Sequence, residues 1–102
     1  MDHINEVTPD RVKKLMNEDE NMVVVDVRED EEVAQGMIEG AKHIPLDKIP
    51  HSTNVLDKDK HYVFVCRSGR RSMTAASFLN EYGFNVSSME GGMKKWDGEV
   101  IV

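Results

Sequence analysis

The sequence predicts an α/β fold in which a mostly parallel sheet carries helices on both faces. Two runs rich in β-branched and aromatic residues, Met22–Val27 and His61–Cys66, predict strands. In Met22–Val27 the apolar residues are nearly continuous rather than alternating, which is typical of a strand covered on both faces. Segments with helical periodicity alternate with these strands, as in parallel sheets. With 102 residues, the chain is long enough for a single domain, which we place at residues 1–102.

The first helix is predicted to begin at Pro9, with Thr8 as its N-cap. Apolar residues then recur at spacings of three and four, which is the pattern of an amphipathic helix. These residues are Val12, Leu15 and Met16. The pattern stops at about Asn17, and a polar turn follows before the strand Met22–Val27.

Shorter elements are predicted between the two strands. Glu31–Gln35 has the composition of a short helix that ends at Gly36. Ala41–Pro45 is predicted to be extended, because the residue before a proline disfavours the helical region. Leu46–Thr53 has no decisive pattern, and Pro50 only excludes a long helix there.

The part of the chain after His61–Cys66 repeats the alternation. Helical spacing predicts a helix over about Met73–Tyr82, with Gly83 placed to end it. Asn85–Met89 predicts a third, weaker strand, and Gly91–Trp96 a last short helix. These elements complete the predicted α/β pattern.

Charge is distributed unevenly along the chain. The formal net charge is −6, and residues 1–51 hold 13 acidic but only 6 Lys and Arg side chains. This excess disfavours nucleic acids and anionic membranes as partners. The acidic run Glu29–Glu32 is interpreted as a solvated face. Three neighbouring arginines, Arg67, Arg70 and Arg71, instead favour a small anion, although a solvated cluster without a ligand is the alternative.

Other features of the composition favour a cytoplasmic protein. The unbroken apolar runs are short, Tyr62–Cys66 being the longest, whereas a membrane helix needs about 20 residues. The N-terminus lacks the basic and apolar regions of a secretory signal. The one cysteine cannot form an internal disulfide or supply a multi-thiolate zinc site. The four histidines are dispersed without metal-ligand spacing, so we expect no metal and no cofactor.

The lone cysteine, Cys66, ends a predicted strand and precedes a predicted helix. Its sulfur should therefore lie near the helix N-terminus, where unpaired amides carry about half a positive charge. Gly69 allows a tight turn in which successive amides point into one concavity, and Ser72 can donate to the sulfur. We expect an ionised sulfur, further stabilised by the arginines, at the mouth of a shallow bowl. The amides expected to line this bowl belong to Arg67, Ser68, Gly69, Arg70 and Arg71.

A thiolate in an anion cradle is suited to sulfur transfer from thiosulfate. The thiolate would attack the outer sulfur, sulfite would leave, and a persulfide would remain on Cys66. Amides and arginines would stabilise the leaving group and the persulfide anion. Cyanide or a thiol would then accept the sulfur.

Phosphoryl chemistry is the competing hypothesis, because cysteine phosphatases and arsenate reductases also hold a thiolate in an anion nest. Their signature places an arginine six positions after the cysteine, but that position is Ser72 here. Val65 replaces the histidine that usually precedes the cysteine, and the loop has no Asp to protonate a leaving group. A guanidinium displaced by one residue would clamp phosphate poorly, so this hypothesis is less favoured.

Four segments occur in an order that resembles the single-domain rhodaneses, the thiosulfate sulfurtransferase family. They are Val25–Glu29, Gly36–Pro45, the loop Cys66–Ser72, and Gly91–Gly92 followed by Trp96. The resemblance extends from about Ile4 to Gly98. Two positions depart from the pattern: Met37 stands where the family often has His, and His43 where it often has Asn.

The resemblance implies a rhodanese-like α/β fold with a five-stranded, largely parallel sheet. It implies that Cys66 carries sulfur in the loop from Arg67 to Ser72, and that Asp26 and Arg28 support this loop from behind. The expected partners are a small anionic sulfur donor, thiosulfate or a persulfide, and an acceptor that is cyanide or a thiol, including a protein thiol. The alternative is a non-catalytic persulfide carrier or docking module.

Overall fold

The computed structural model describes residues 3–102; Met1 and Asp2, which the predicted domain includes, lie outside them. Its strands are β1 (Asn5–Val7), β2 (Met22–Asp26), β3 (Met37–Ile38), β4 (Lys42–His43), β5 (His61–Val65), β6 (Asn85–Met89) and β7 (Val100–Ile101). Its α-helices are α1 (Pro9–Glu18), α2 (Asp30–Val33) and α3 (Arg70–Glu81). Two short 3₁₀ helices cover Leu46–His51 and Gly92–Lys95.

Five strands form one sheet in the order β1-β6-β5-β2-β4, and every neighbouring pair is parallel. The predicted α/β fold with a five-stranded parallel sheet is therefore confirmed. Strands β2 and β5 are in register, with Asp26 opposite Val65. Since Cys66 follows Val65 directly, Asp26 and Cys66 are brought to the same carboxyl edge of the sheet, where ligands of parallel α/β sheets usually bind.

Apolar side chains of the central strands alternate between two cores. On one face, Val25 and Phe64 pack in a cluster with Ala75, Ala76 and Leu79 of α3. On the other face, the neighbouring strand residues lie in a second cluster with the helix α1 and the 3₁₀ helix Gly92–Lys95. That cluster includes Val12, Val24, Val63, Val65 and Met93. Both faces are thus covered, which explains why the central strands are apolar without alternation.

The helix predictions are confirmed with small shifts at the ends. Helix α1 begins at Pro9 as predicted, and the Thr8 hydroxyl accepts a hydrogen bond from the Arg11 amide at 3.1 Å. Helix α3 begins at Arg70, three residues before the first apolar residue of its pattern. The undecided segment contains the 3₁₀ helix Leu46–His51, in which Pro50 is tolerated.

Three short strands were not predicted. Strand β1 has three residues, and β3 and β7 have two each, so none is long enough to show an alternating pattern. The last two form a separate antiparallel pair, with Met37 opposite Ile101 and Ile38 opposite Val100. This pair connects the C-terminal segment to the chain between β2 and β4.

Within residues 3–102, no helix is both long enough and apolar enough to span a lipid bilayer.

Candidate active site

The turn from β5 into α3 folds around the sulfur of Cys66. Gly69 is the N-cap of the helix and has φ +110°. Residues that carry a side chain rarely adopt this backbone conformation, so glycine is favoured there. The Gly69 amide donates to Sγ of Cys66 at 3.0 Å, and the Ser72 amide donates to the same sulfur at 3.4 Å. The predicted position of the sulfur at the start of a helix is therefore seen in the structure.

The side chain of Ser72 completes the surroundings of the sulfur. Its hydroxyl lies 3.5 Å from Sγ of Cys66, donates to the Gly69 carbonyl at 3.0 Å, and lies 2.7 Å from the hydroxyl of Ser88. Ser72 and Ser88 are both fully buried. Polar hydrogens thus approach the sulfur from the loop backbone and from the first turn of α3.

The hydrogen bonds decide the protonation tendency of Cys66. Burial raises the pKa of the thiol and is the largest single influence. The Ser72 hydroxyl and the amides of Ser72, Gly69 and Ser68 together outweigh burial, so the net pKa of Cys66 is lower than that of an ordinary thiol. A lowered thiol pKa is what nucleophilic chemistry requires of a cysteine.

The three arginines do not act on the sulfur as one cluster. The guanidinium of Arg71 forms a two-pronged ion pair with Glu32, with N–O distances of 2.6 and 2.8 Å. This pair lowers the pKa of Glu32 to about 2 and raises the pKa of Arg71. Within the part of the chain that the structure describes, the guanidinium groups of Arg67 and Arg70 make no hydrogen bond or ion pair, and both residues are exposed.

Two interpretations from the sequence are refined by the structure. The arginines were expected to add to the stabilisation of the thiolate; hydrogen bonds are the main stabilising influence on Cys66, and Arg71, which interacts electrostatically with Cys66, is also paired with Glu32. The acidic run is more than a solvated face, because Glu32 holds the first turn of α3. The two partners lie 39 positions apart in the chain, so no local pattern could have revealed the pair.

The sulfur also lies deeper than expected. Cys66 is only 1% exposed, whereas Arg67 and Ser68 above it are exposed and Gly69 is half-buried. The prediction of a sulfur at the mouth of a shallow bowl is wrong: the residue forms the floor of the loop. At this exposure the side chain of Cys66 has almost no direct contact with solvent.

A close backbone approach fixes the outer side of the loop. The amides of Met93 and Lys94 donate to the carbonyls of Cys66 and Arg67 at 2.7 and 3.0 Å. Gly92 makes this possible, because a Cβ there would lie 2.5 Å from both carbonyl oxygens. In a trans peptide the carbonyl and the following N–H point in opposite directions. Anchoring the Arg67 carbonyl therefore turns the Ser68 amide to the other side, where it helps to lower the pKa of Cys66.

Asp26 and Arg28 form a buried ion pair at the end of β2. The Arg28 guanidinium contacts both Asp26 carboxylate oxygens at 2.8 to 3.1 Å and donates to the Gly36 carbonyl at 2.8 Å. The Asp26 carboxylate also accepts from the Arg28 amide. Between them, the Val27 amide donates to the Val65 carbonyl at 3.0 Å. The pair thus braces the strand end beside Cys66 without touching the sulfur.

The two departures from the rhodanese pattern lie outside the loop. His43 places its Nε2 atom 2.8 Å from the Arg28 carbonyl and so holds the segment that follows β2. Met37 belongs to the small antiparallel sheet. Neither residue has a hydrogen bond to Cys66 in residues 3–102, so both departures bear on packing and not on the sulfur.

A cleft of about 430 Å³ borders the loop. Arg67 and Lys94 line it with free positive charge, while Met93 and Val100 supply apolar surface. Arg28 and Glu32 also line it, but each is engaged in an ion pair. Lys94 belongs to none of the sequence motifs, and its backbone hydrogen bond to the Arg67 carbonyl brings it beside the loop.

No group of three or more His, Cys, Asp or Glu side chains that could hold a metal ion is found among residues 3–102.

Comparison with known proteins gives a consistent result. A family model described as "Rhodanese-like domain" matches residues 8–99. The chain is 50% identical over 96 residues to "Putative sulfurtransferase YtwF" of Bacillus subtilis, covering 94% of this chain and 93% of that protein. It is 31% identical over 96 residues to "Thiosulfate sulfurtransferase GlpE" of Pseudomonas aeruginosa, covering 93% and 86%. The crystal structure of a rhodanese-like domain protein from Staphylococcus aureus matches with a TM-score of 0.90 and 37% identity, covering 97% of this chain and 98% of that one.

Proposed function

The chain belongs to the rhodanese-like domain family, and on that premise we propose that it is a sulfurtransferase that carries sulfane sulfur as a persulfide of Cys66. The observation that carries the proposal is the convergence of polar groups on one sulfur: the amides of Gly69 and Ser72 donate to it, and the hydroxyl of Ser72 lies 3.5 Å away. These donors favour the thiolate, which is the reactive form of cysteine. The relatives named as sulfurtransferases support the same class of reaction.

The reaction proceeds in two half-reactions. The Cys66 thiolate attacks the outer sulfur of thiosulfate, a new S–S bond forms, and the S–S bond of thiosulfate breaks as sulfite leaves with the electron pair. Cyanide or an acceptor thiolate then attacks the outer persulfide sulfur, and the Cys66 thiolate leaves. Electrons balance over the two steps without an external oxidant or reductant. The loop amides stabilise the negative charge that develops on sulfur in each step.

The charge beside the loop favours a small anionic donor. Arg67 and Lys94 place positive charge on the cleft that borders the loop, which Cys66 itself does not line, and Arg70 is exposed at the start of α3. Charges of this sign in a concave site attract an anion and raise its local concentration. We assign binding of the anionic sulfur donor to the loop as a whole. The residues concerned are Arg67, Ser68, Gly69, Arg70, Arg71 and Ser72. In this set Arg71 acts through its ion pair with Glu32, and Ser72 through the donation of its backbone amide to the sulfur.

Asp26 and Arg28 serve the reaction indirectly. Their ion pair is buried, and the strand end that it braces lies beside the residue that precedes Cys66. A rigid strand end keeps the sulfur at one position relative to the donors of the loop. This assignment makes them positioning residues, because neither touches the sulfur.

The burial of Cys66 supports the alternative hypothesis, a persulfide carrier or docking module. A residue that is 1% exposed meets a bulky acceptor only after the loop moves, and a partner protein could supply the energy for that movement. In that case the protein is a persulfide carrier or docking module that turns over free thiosulfate poorly. The same sulfur chemistry applies in both cases, and only the acceptor differs.

One experiment separates these hypotheses. The reduced protein is incubated with thiosulfate, its intact mass is recorded, and cyanide is added while thiocyanate is followed. We expect a gain of about 32 Da, one sulfur atom, on the wild type but not on Cys66→Ser, with repeated turnover. A mass gain without turnover supports the carrier. Absence of the mass gain with both thiosulfate and a persulfide donor contradicts the proposal, and hydrolysis of an aryl phosphate revives the phosphatase hypothesis.

A further inference from the structure

Ser88 is a buried hydroxyl that belongs to none of the sequence motifs. It lies on β6, is fully buried, and points its Oγ atom to 2.7 Å from Oγ of Ser72. In the described part of the chain, the Ser88 side chain has no other hydrogen-bond partner. A buried hydroxyl with a single partner must satisfy its hydrogen through that partner.

The number of hydrogens determines the direction of each bond. A hydroxyl has one hydrogen to donate and two lone pairs that accept. The Ser72 hydroxyl faces three groups: the Gly69 carbonyl, which only accepts, the Ser88 hydroxyl, and the sulfur of Cys66. A thiolate also only accepts. Whenever Ser72 donates to the carbonyl or to the thiolate, its single hydrogen is used, and Ser88 must be the donor in the bond between the two serines.

We propose that Ser88 is a positioning residue for the Cys66 nucleophile. Its hydroxyl donates to Ser72, so that the Ser72 hydroxyl, which donates to the Gly69 carbonyl while Cys66 is a thiol, is oriented and polarised to donate to the sulfur once Cys66 is a thiolate. This inference rests on the proposed role of Cys66. Hydrogen bonds in a chain strengthen one another, and each one polarises the next. A donation from Ser88 to Ser72 therefore makes Ser72 a stronger donor to a thiolate or a persulfide anion.

The neighbouring strand position provides a matched control. Ser87 is the residue before Ser88, is also buried, and has its hydroxyl 2.8 Å from Nε2 of His61, away from the loop. Removing the Ser87 hydroxyl costs one buried hydrogen bond without touching Ser72. A general effect of lost polarity in β6 would appear in both variants, whereas the proposed effect belongs to Ser88 alone.

The charged groups near the loop do not interfere with this comparison. They are the ion pair of Arg71 with Glu32, the buried pair of Asp26 with Arg28, and the exposed charges of Arg67, Arg70 and Lys94. Within residues 3–102, none of them hydrogen-bonds to Ser88. They stay the same in the serine variants, so a change in the titration of Cys66 reports on the hydroxyl chain.

The experiment measures the titration of Cys66 directly. The ultraviolet absorbance of the thiolate is followed against pH for the wild type, Ser88→Ala, Ser87→Ala, Ser72→Ala and Ser72→Ala/Ser88→Ala, with Cys66→Ser as the blank. We expect Ser72→Ala to raise the apparent pKa of Cys66 by about 1 to 2 and Ser88→Ala by about 0.3 to 0.7. Ser87→Ala should leave it unchanged. Adding Ser88→Ala to Ser72→Ala should cause no further rise, because Ser88 acts through Ser72.

Ser88→Thr keeps a hydroxyl in place and should retain the wild-type pKa of Cys66, and a melting curve for each variant shows that it is folded. An unchanged pKa in Ser88→Ala overturns the inference. An equal rise in the Ser72→Ala background also overturns it, because the effect would then bypass Ser72. The readout needs no turnover, so a protein that forms no persulfide would contradict the proposed function while leaving this test decidable.

Discussion

Two buried polar clusters lie side by side at the carboxyl edge of the sheet, and they are built differently. In the cluster of Asp26 and Arg28, opposite charges neutralise each other and the guanidinium donates to both carboxylate oxygens. The cluster of Cys66, Ser72 and Ser88 contains no fixed charge, yet two backbone amides donate to one sulfur and the Ser72 hydroxyl lies beside it. The first arrangement is complete and supports the fold. The second is ready to receive negative charge, which is what a nucleophile needs.

The largest expected difference between the two clusters is in stability. Arg28→Ala leaves the Asp26 carboxylate buried without its partner, which typically costs about 3 to 5 kcal/mol of unfolding free energy. Cys66→Ser should reduce the unfolding free energy by about 1 kcal/mol or less, since Cys66 is not part of an ion pair and its loss leaves no buried charge without a partner. Urea unfolding of both variants measures the difference. The double variant Asp26→Asn/Arg28→Met should recover much of the loss. Similar losses of unfolding free energy for Arg28→Ala and Cys66→Ser would contradict the conclusion that only the Asp26–Arg28 cluster supports the fold.

The next effect concerns the backbone support of the sulfur cluster. Gly92→Ala places a Cβ 2.5 Å from the carbonyls of Cys66 and Arg67, at a position where φ is +62°. Gly40→Ala is the matched control, because Gly40 has φ +87° but no atom within 4 Å of the added Cβ. We expect about 1 to 2 kcal/mol of destabilisation for Gly40→Ala and a larger loss for Gly92→Ala.

Only Gly92→Ala should also slow persulfide formation with thiosulfate, because the clash moves the loop that holds the sulfur. Stopped intact-mass measurements over time give this rate for both variants. Equal rates in the two variants would show that the contact of Gly92 with the loop does not position Cys66.

The smallest expected effect on stability belongs to the ion pair of Glu32 on α2 with Arg71 on α3. The pKa of Glu32 is lowered to about 2, so the stabilisation is complete above its ordinary value of 4.5 and is lost as pH falls from about 5 towards 2. Both side chains are 30% exposed, so the gain is about 1 kcal/mol or less. Comparing urea unfolding of Glu32→Gln and wild type should give a difference at pH 7 that vanishes near pH 2. A constant difference across this range would exclude the ion pair as its source.

The sequence was sufficient for features that depend on near neighbours in the chain. Thr8 before Pro9 predicted a capped helix start, and Cys66 at a strand end before Gly69 predicted a sulfur beside a helix N-terminus. Both are seen in the structure because capping and tight turns are set by residues a few positions apart. The predicted roles of the loop residues in donor binding stay predictions, as does the cytoplasmic location.

Features that depend on distant parts of the chain were missed. Ser88 reaches Ser72 from another strand, Lys94 reaches the loop from the last 3₁₀ helix, and Glu32 reaches Arg71 across 39 positions. The depth of Cys66 was also misjudged, because the 3₁₀ helix Gly92–Lys95, whose Met93 and Lys94 amides hold the loop, lies far along the chain from Cys66. No local pattern contains that information.

The burial of Cys66 at the floor of the loop affects whether its thiol can form a disulfide with a second copy of the chain. A disulfide requires two sulfurs about 2.05 Å apart, and a residue that is 1% exposed cannot bring its sulfur that close to the sulfur of a second copy while the loop is closed. The chain has no other cysteine with which it could pair internally. The buried position of Cys66 therefore disfavours a disulfide between two copies of the chain.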